Sequence, residues 1–248
     1  MKTKTLRVKV FMFVFLIFAF VMLVLAVMVN KARKQVLGIS ISNVQTDQKI
    51  IALTFDDGPS PQYTESILNV LKDKNIKATF FVVGENIDKY PEVLKRIHKE
   101  GHEIGNHGNS HKRIAFMKSQ QIAKEILITE EKIHYLTNTR PTIFRVPYGL
   151  FGSNLPATTQ LLNLEVIGWN VDSLDWKNPG VEIIIDNVIK DVTEGSIILM
   201  HDGSNEDKIP NHDQTLSALP QIIGNLQENG YSFVTTSELL ENGDKINY

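Results

Sequence analysis

The sequence predicts an α/β fold organised around a parallel sheet, and three observations carry that reading. Short apolar, β-branched runs alternate along the chain with longer stretches of helical spacing, the order expected of strands joined by crossover helices. Several of those runs are apolar throughout, as strands covered on both faces must be. Gly101, Gly195 and Gly230 each stand between a helical stretch and the next apolar run, where a chain leaving a helix turns through a left-handed conformation. Periodicity does not separate an open sheet from a closed barrel. In both, chemistry belongs at the carboxyl ends of the strands.

The first element is of another kind. Lys2, Lys4, Arg7 and Lys9 precede residues 10 to 29, VFMFVFLIFAFVMLVLAVMV, which hold no charge. At about 1.5 Å per residue this run covers a hydrocarbon core of roughly 30 Å, so a transmembrane signal anchor is expected. The run ends in Val27-Met28-Val29-Asn30 with no small-x-small pair, which makes a cleaved signal peptide the weaker reading. Lys31, Arg33 and Lys34 follow almost as densely as the basic residues precede. The expected arrangement keeps residues 1 to 9 cytoplasmic and the folded domain on the extracellular face of the cell membrane. Residues 30 to 46 read as a polar tether, and residues 47 to 248 as one folded domain of ordinary size.

Within that domain seven strands are expected, at 51 to 56, 78 to 83, 103 to 106, 142 to 146, 165 to 170, 196 to 200 and 231 to 235. The helices between them are expected at 61 to 74, 91 to 100, 119 to 136, 155 to 164, 181 to 194 and 215 to 229. Lys and Arg number 26 against 28 Asp and Glu, so the charge balance points to no nucleic-acid partner. There is no cysteine, which excludes disulfides, thiolate metal sites and a thiol nucleophile and leaves His and carboxylate as the good metal ligands. Nothing in the sequence calls for an obligate protein partner.

The strand ends are where the residues become unusual. LTFDDGPS ends the first strand with Asp56-Asp57, and HGNSH (107 to 111), RVPYG (145 to 149), DSLDW (172 to 176) and LMHD (199 to 202) stand at the ends of later ones. His107 and His111 are four apart, a spacing that puts both imidazoles on one face of a helical turn and suits a divalent metal. A carboxylate from Asp56 or Asp57 completes a three-ligand site with open positions, the pattern of a catalytic metal. His98, His102, His134 and His212 read as solvated residues of helices and loops. Taken singly, the Asp pair reads as a turn before Gly58-Pro59, Arg145 as a surface guanidinium, Asp175-Trp176 as a rim pair and His201 as a core histidine. Their coincidence at one end of the sheet is what points to a site.

TFDDGP (54 to 59), HGNSH, RVPYG, DSLDW and LMH, in this order, resemble the five motifs of the polysaccharide deacetylases, carbohydrate esterase family 4 with its NodB homology domain. The resemblance covers essentially the whole domain. It implies a distorted (β/α) barrel of seven parallel strands. It also implies metal-dependent hydrolysis of N-acetyl groups on the amino sugars of a glycan, peptidoglycan or chitin-like, with release of acetate. By that similarity Asp57, His107 and His111 hold the metal, most readily Zn2+, with Co2+, Mn2+ and Ni2+ also accepted by such donors. Asp56 is the base, oriented by Arg145; His201 is the acid, held by Asp175. Tyr148 offers its backbone N–H to the oxyanion from a turn fixed by Pro147, and Trp176 and Leu199 line the slot for the acetyl methyl and sugar face.

Two departures from the motifs stand out. Gly108 replaces the Ser or Thr that usually follows the first metal histidine, removing a brace from that loop, and Val146 stands where many members have Pro. Tyr148 is retained, which favours N-acetylglucosamine over muramic-acid substrates. Two other classes compete with this reading. One is a membrane-tethered glycan-binding pseudoenzyme, which loss of a ligand, base or acid would mark. The other is a hydrolase of small cytosolic amides, for which an anchor has no use.

Overall fold

A computed structural model describes residues 40–203 and 211–247. The expected basic segment, the membrane span over 10 to 29 and most of the expected tether lie outside the described residues. Among the described residues no helix is long and apolar enough to cross a membrane.

The end of the tether is a correction. Residues 41 to 45 form a strand, β1 (Ile41–Gln45), that buries Ile41 and Val44. It pairs antiparallel with another unexpected strand at the far end of the chain, Asp244–Asn247, and the Val44 N–H donates to the Gly195 carbonyl at 2.9 Å. The fold therefore includes residues 41 to 45, which were expected in the tether. ISNVQ shows no clean alternation, so its strand character comes from its partners and not from propensity.

Eight further strands follow in chain order: β2 (Ile50–Asp56), β3 (Thr79–Val82), β4 (Glu103–Asn106), β5 (Ile143–Phe144), β6 (Glu165–Val166), β7 (Val171–Asp172), β8 (Ile197–His201) and β9 (Ser232–Val234). The C-terminal Asp244–Asn247 is β10. The parallel sheet runs β6-β5-β4-β3-β2-β8-β7, and β9 pairs with the first residues of β2. Seven strands lie on this path, yet they are not the seven expected. The run at 165 to 170 contains only β6, with β7 just beyond it at 171–172, and the run at 231 to 235 sits off the path.

The break between β6 and β7 explains the curvature. β6 pairs with β5, whereas β7, four residues later, pairs with β8 at the other end of the path. No ladder joins β6 to β7; the sheet instead curls until one extended segment touches both of its ends. β1 spans the same seam, with Ile41 bridged to Ile167 and Asn43 to Ser196.

The helices are α1 (Tyr63–Asp73), α2 (Gly84–Lys89), α3 (Pro91–Lys99), α4 (Ser119–Thr137), α5 (Leu155–Leu161), α6 (Val181–Ile189), α7 (Asp213–Glu228) and α8 (Thr236–Glu241). The short α2 and α8 were not expected from the sequence. α3 shows why such a segment is helical: Pro91 sits in its first turn, Glu92 follows, and Arg96 and Lys99 close it. Ile67, Leu68 and Leu71 of α1, Leu94 and Ile97 of α3, and Leu219, Ile222 and Ile223 of α7 bury against Leu53, Phe55, Phe80 and Met200 of the sheet. Each such side chain contributes about 1.5–3 kcal/mol on burial. Gly195, at φ 76°, is required by contact as well as conformation, because a Cβ there would lie 1.8 Å from the Val44 carbonyl oxygen.

Candidate active site

The register of β2 sets the site. Asp56 is the last residue of β2 and stands directly across from His201 of β8. Paired strands lie about 4.8 Å apart, so a carboxylate and an imidazole leave the sheet side by side at its carboxyl end. Asp57 follows at φ 77°, a left-handed conformation uncommon for a residue with a side chain, which ends the strand's alternation. Asn86 holds the Asp57 carbonyl by donating to it at 2.8 Å.

His107 leaves β4 and accompanies Asp57. The expectation that 107 to 111 form a helical turn is corrected: the stretch is a loop, reversed by Gly108 at φ 78° and His111 at φ 50°. Even so, Nε2 of His107 and Nε2 of His111 lie 3.3 Å and 2.9 Å from Oδ1 of Asp57. That oxygen is buried and has no hydrogen-bond partner, although both nitrogens are close. One donor atom from each of the three residues falls within 4.8 Å of the others, a possible cation site of two imidazoles and a carboxylate. The geometry and the orphaned oxygen fit a divalent cation. Burial by itself would raise the Asp57 pKa; the two imidazoles overcome it and hold the carboxyl well below the usual carboxylate range.

Two buried ion pairs flank this cluster. The Arg145 guanidinium is fully buried and donates to Asp56 Oδ1 at 2.8 Å and to Thr54 Oγ1 at 2.7 Å. It also donates to the Gly168 carbonyl at 2.9 Å, in the seam between β6 and β7, so one side chain satisfies the broken sheet and orients Asp56. With Oδ1 taken by Arg145, Asp56 presents Oδ2, 3.6 Å from His107 Nε2. On the other side His201 Nδ1 donates to Asp175 Oδ1 at 2.7 Å, and the buried Asp175 also accepts from the His201 N–H and from Thr215. Burial alone would lower His201; the charge and hydrogen bond of Asp175 overcome it and lift the imidazole to about 10. Asp175 is correspondingly lowered, its burial outweighed by His201.

Asp56, Asp57, His107, His111, Tyr148, Trp176, Leu199 and His201 line one cavity of about 550 Å³. Arg145 and Asp175 stand behind its wall, buried, and Pro147 is buried beneath Tyr148. Tyr148 has φ 61°, with its ring 4.5 Å from that of His111. Among the further lining residues are Trp169, Asp172, Asn211 and His212, none of them expected as a site residue. Asp172 lies within a quoted motif, but the other three carry no local signal. His102 and His212 are buried, which corrects the expectation that both are solvated. Asp202 was missed too: fully buried, it accepts from the Gly58 N–H at 3.1 Å and from Thr64. Burial, with Asp57 and Asp56 nearby, pushes it up to about 7.

A carboxylate paired with a guanidinium and an imidazole paired with a carboxylate, set around one cleft beside a possible cation site, make an arrangement able to take a proton from water and give one to a leaving group. The chain belongs to the polysaccharide deacetylase family, whose model, described as Polysaccharide deacetylase, matches residues 43–167. The chain is 38% identical over 199 residues to a peptidoglycan-N-acetylglucosamine deacetylase of Bacillus cereus, covering 79% of this chain and 91% of that protein. It is 35% identical over 208 residues to a chitooligosaccharide deacetylase of Rhizobium leguminosarum bv. trifolii, covering 82% and 97%. Among solved structures, the Bc1960 peptidoglycan N-acetylglucosamine deacetylase superposes with a TM-score of 0.77 at 35% identity, over 84% of this chain and 96% of that one.

Proposed function

We propose that the protein removes acetyl groups from N-acetylglucosamine-type sugars of a cell-wall glycan, peptidoglycan or chitin-like, by cation-dependent hydrolysis at the outer face of a membrane. The observation that carries the reading is the convergence of Asp57, His107 and His111 on one point, beside Asp56 and His201, inside one cavity.

The roles follow from which atoms are already engaged. Asp57, His107 and His111 would hold a divalent cation, Zn2+ being the best match, which when bound polarises the acetyl carbonyl and acidifies nearby water. Asp56 accepts the proton of the attacking water on Oδ2, because Arg145 occupies Oδ1 and orients the carboxylate. As the new C–O bond forms, the backbone N–H of Tyr148 receives charge developing on the acetyl oxygen. His201 uses Nδ1 to bind Asp175 and therefore has Nε2–H to give. That proton goes to the amide nitrogen as the C–N bond breaks, leaving acetate and a free amine. Trp176, half exposed, offers an apolar face to the sugar, and Leu199 a wall to the methyl.

The cavity's charge favours a neutral sugar. Asp56, Asp57 and Asp172 line it, and no described lining residue is Lys or Arg, a lining compatible with an uncharged N-acetylglucosamine-type sugar. A glycan-binding pseudoenzyme is less well supported, since every ligand, base and acid whose loss would mark one is present. The uncharged residues 10 to 29 support a single-pass anchor that holds the domain near an insoluble wall polymer. Incubating the full-length chain in detergent with N-acetylglucosamine oligomers and peptidoglycan fragments tests the reading. Acetate and a mass loss of one acetyl per site are expected, and intact glycan at every cation loading would refute it.

A further inference from the structure

Both loops that deliver cation ligands are strained at the ligand itself, Asp57 at φ 77° and His111 at φ 50°. Conformations of this kind persist only where surrounding bonds over-determine them. Resting on the cation-site reading above, we propose that two carboxylates outside the recognised roles, Glu125 and Asp202, are the positioning residues that hold these loops in ligand geometry.

Glu125 projects from α4 under the histidine loop. Its Oε2 accepts the N–H groups of Asn109 at 3.0 Å and Ser110 at 2.8 Å, and its Oε1 accepts the Ser110 hydroxyl at 2.9 Å. The neighbouring carbonyls, Gly108 and Asn109, are taken by the N–H groups of Gly84 and Glu85, and the Gly108 N–H donates to Asn106. Five of the six backbone polar groups between the two ligand histidines are thus bound, and one carboxylate accepts from two of the three amides. This explains how the chain dispenses with a hydroxyl at position 108. The brace comes from a helix across the loop instead of from the loop's own side chain.

Asp202 does the same for the aspartate turn. Its two oxygens take the Gly58 N–H and the Thr64 hydroxyl, while Thr64 in turn accepts from the Ser60 N–H at 2.7 Å. Its own N–H donates to the Asp56 carbonyl at 3.0 Å. The chain on either side of Asp57 is thereby tied to β8 and α1. Gly203 packs so closely that a Cβ would lie 2.2 Å from the Asp57 carbonyl oxygen. A carboxylate fixed this way cannot relax out of the left-handed conformation without breaking buried hydrogen bonds.

The test is zinc affinity of the full-length chain, measured by competition with a chromogenic chelator, together with the visible spectrum of the Co2+ form. Glu125→Ala and Asp202→Asn should each weaken zinc binding by about tenfold or more and change the Co2+ absorption. Melting of the chelator-treated protein should stay near that of the unaltered chain. Glu125→Gln, which preserves volume and one acceptor oxygen, should fall between, and it serves if the alanine variant does not fold. Unchanged zinc affinity would overturn the proposal. So would a loss of affinity matched by an equal loss of cation-free stability, since that describes a structural prop. If the unaltered chain binds no zinc, the cation-site reading itself fails, and the two failures are told apart.

Discussion

At the scale of single residues, the site is read through which atoms are free. Asp56 keeps one oxygen for Arg145 and one for the cavity, so Asp56→Asn should leave zinc content unchanged while turnover falls by about 10²–10⁴-fold. Metal analysis and acetate release on one preparation check this, and near-normal turnover would remove Asp56 as base. His201 owes its raised pKa to Asp175, against the pull of burial. In the cation-free protein its imidazole should still be protonated at pH 8 by NMR, and Asp175→Asn should release that proton below neutrality. A titration unmoved by the substitution would break the pairing argument. Much at this scale was legible in the sequence, because Asp-Asp, His-x-x-x-His and Asp-x-x-Asp-Trp are unusual residue types at strand ends. What was not legible depended on the folded chain. Trp169 and His212 reach the cavity from the seam and from the entrance of α7, and neither stretch differs in composition from an ordinary loop.

At the scale of elements, β2, β3 and β8 are largely apolar runs legible to within a residue or two, as buried parallel strands allow, and β4, EIGN, lies at the bounds expected of it. β1 and β10 were missed because ISNVQ and DKIN carry too few apolar residues to show a period; their pairing exists only once the ends of the chain meet. The single expected strand at 165 to 170 holds only β6, at 165–166, and the chain then passes to β7, at 171–172, which pairs at the other end of the sheet. The expected tether is where this matters for experiment. A soluble fragment starting at residue 40 should fold and melt cooperatively, whereas one starting at 47 loses β1, the partner of β10 and of the seam. Equal melting temperatures for the two fragments would contradict the place given to β1.

For the whole molecule, the His201–Asp175 pair makes stability depend on pH with a definite sign. His201 is raised from 6.5 to about 10, so its contribution is full below 6.5 and is lost as pH rises through about 10. Asp175 is lowered from 3.8, so its contribution is present above 3.8 and lost as pH falls through its lower folded value. One interaction underlies both, and it is fully expressed between about 3.8 and 6.5. Melting of the cation-free protein should therefore decline from pH 6.5 to 10, and less steeply in Asp175→Asn. An identical slope in the variant would count against the pair.

The same molecule-wide view makes the proposed cation site the point on which the strand ends and their loops converge. The most direct measurement is to strip the full-length chain with a chelator, add zinc back in steps, and follow acetate released from N-acetylglucosamine oligomers. The account predicts no acetate from the stripped protein, recovery that saturates at one zinc per chain, and no recovery in His107→Ala at the same zinc concentrations. Full acetate release from the stripped protein, or full recovery in His107→Ala, would contradict it.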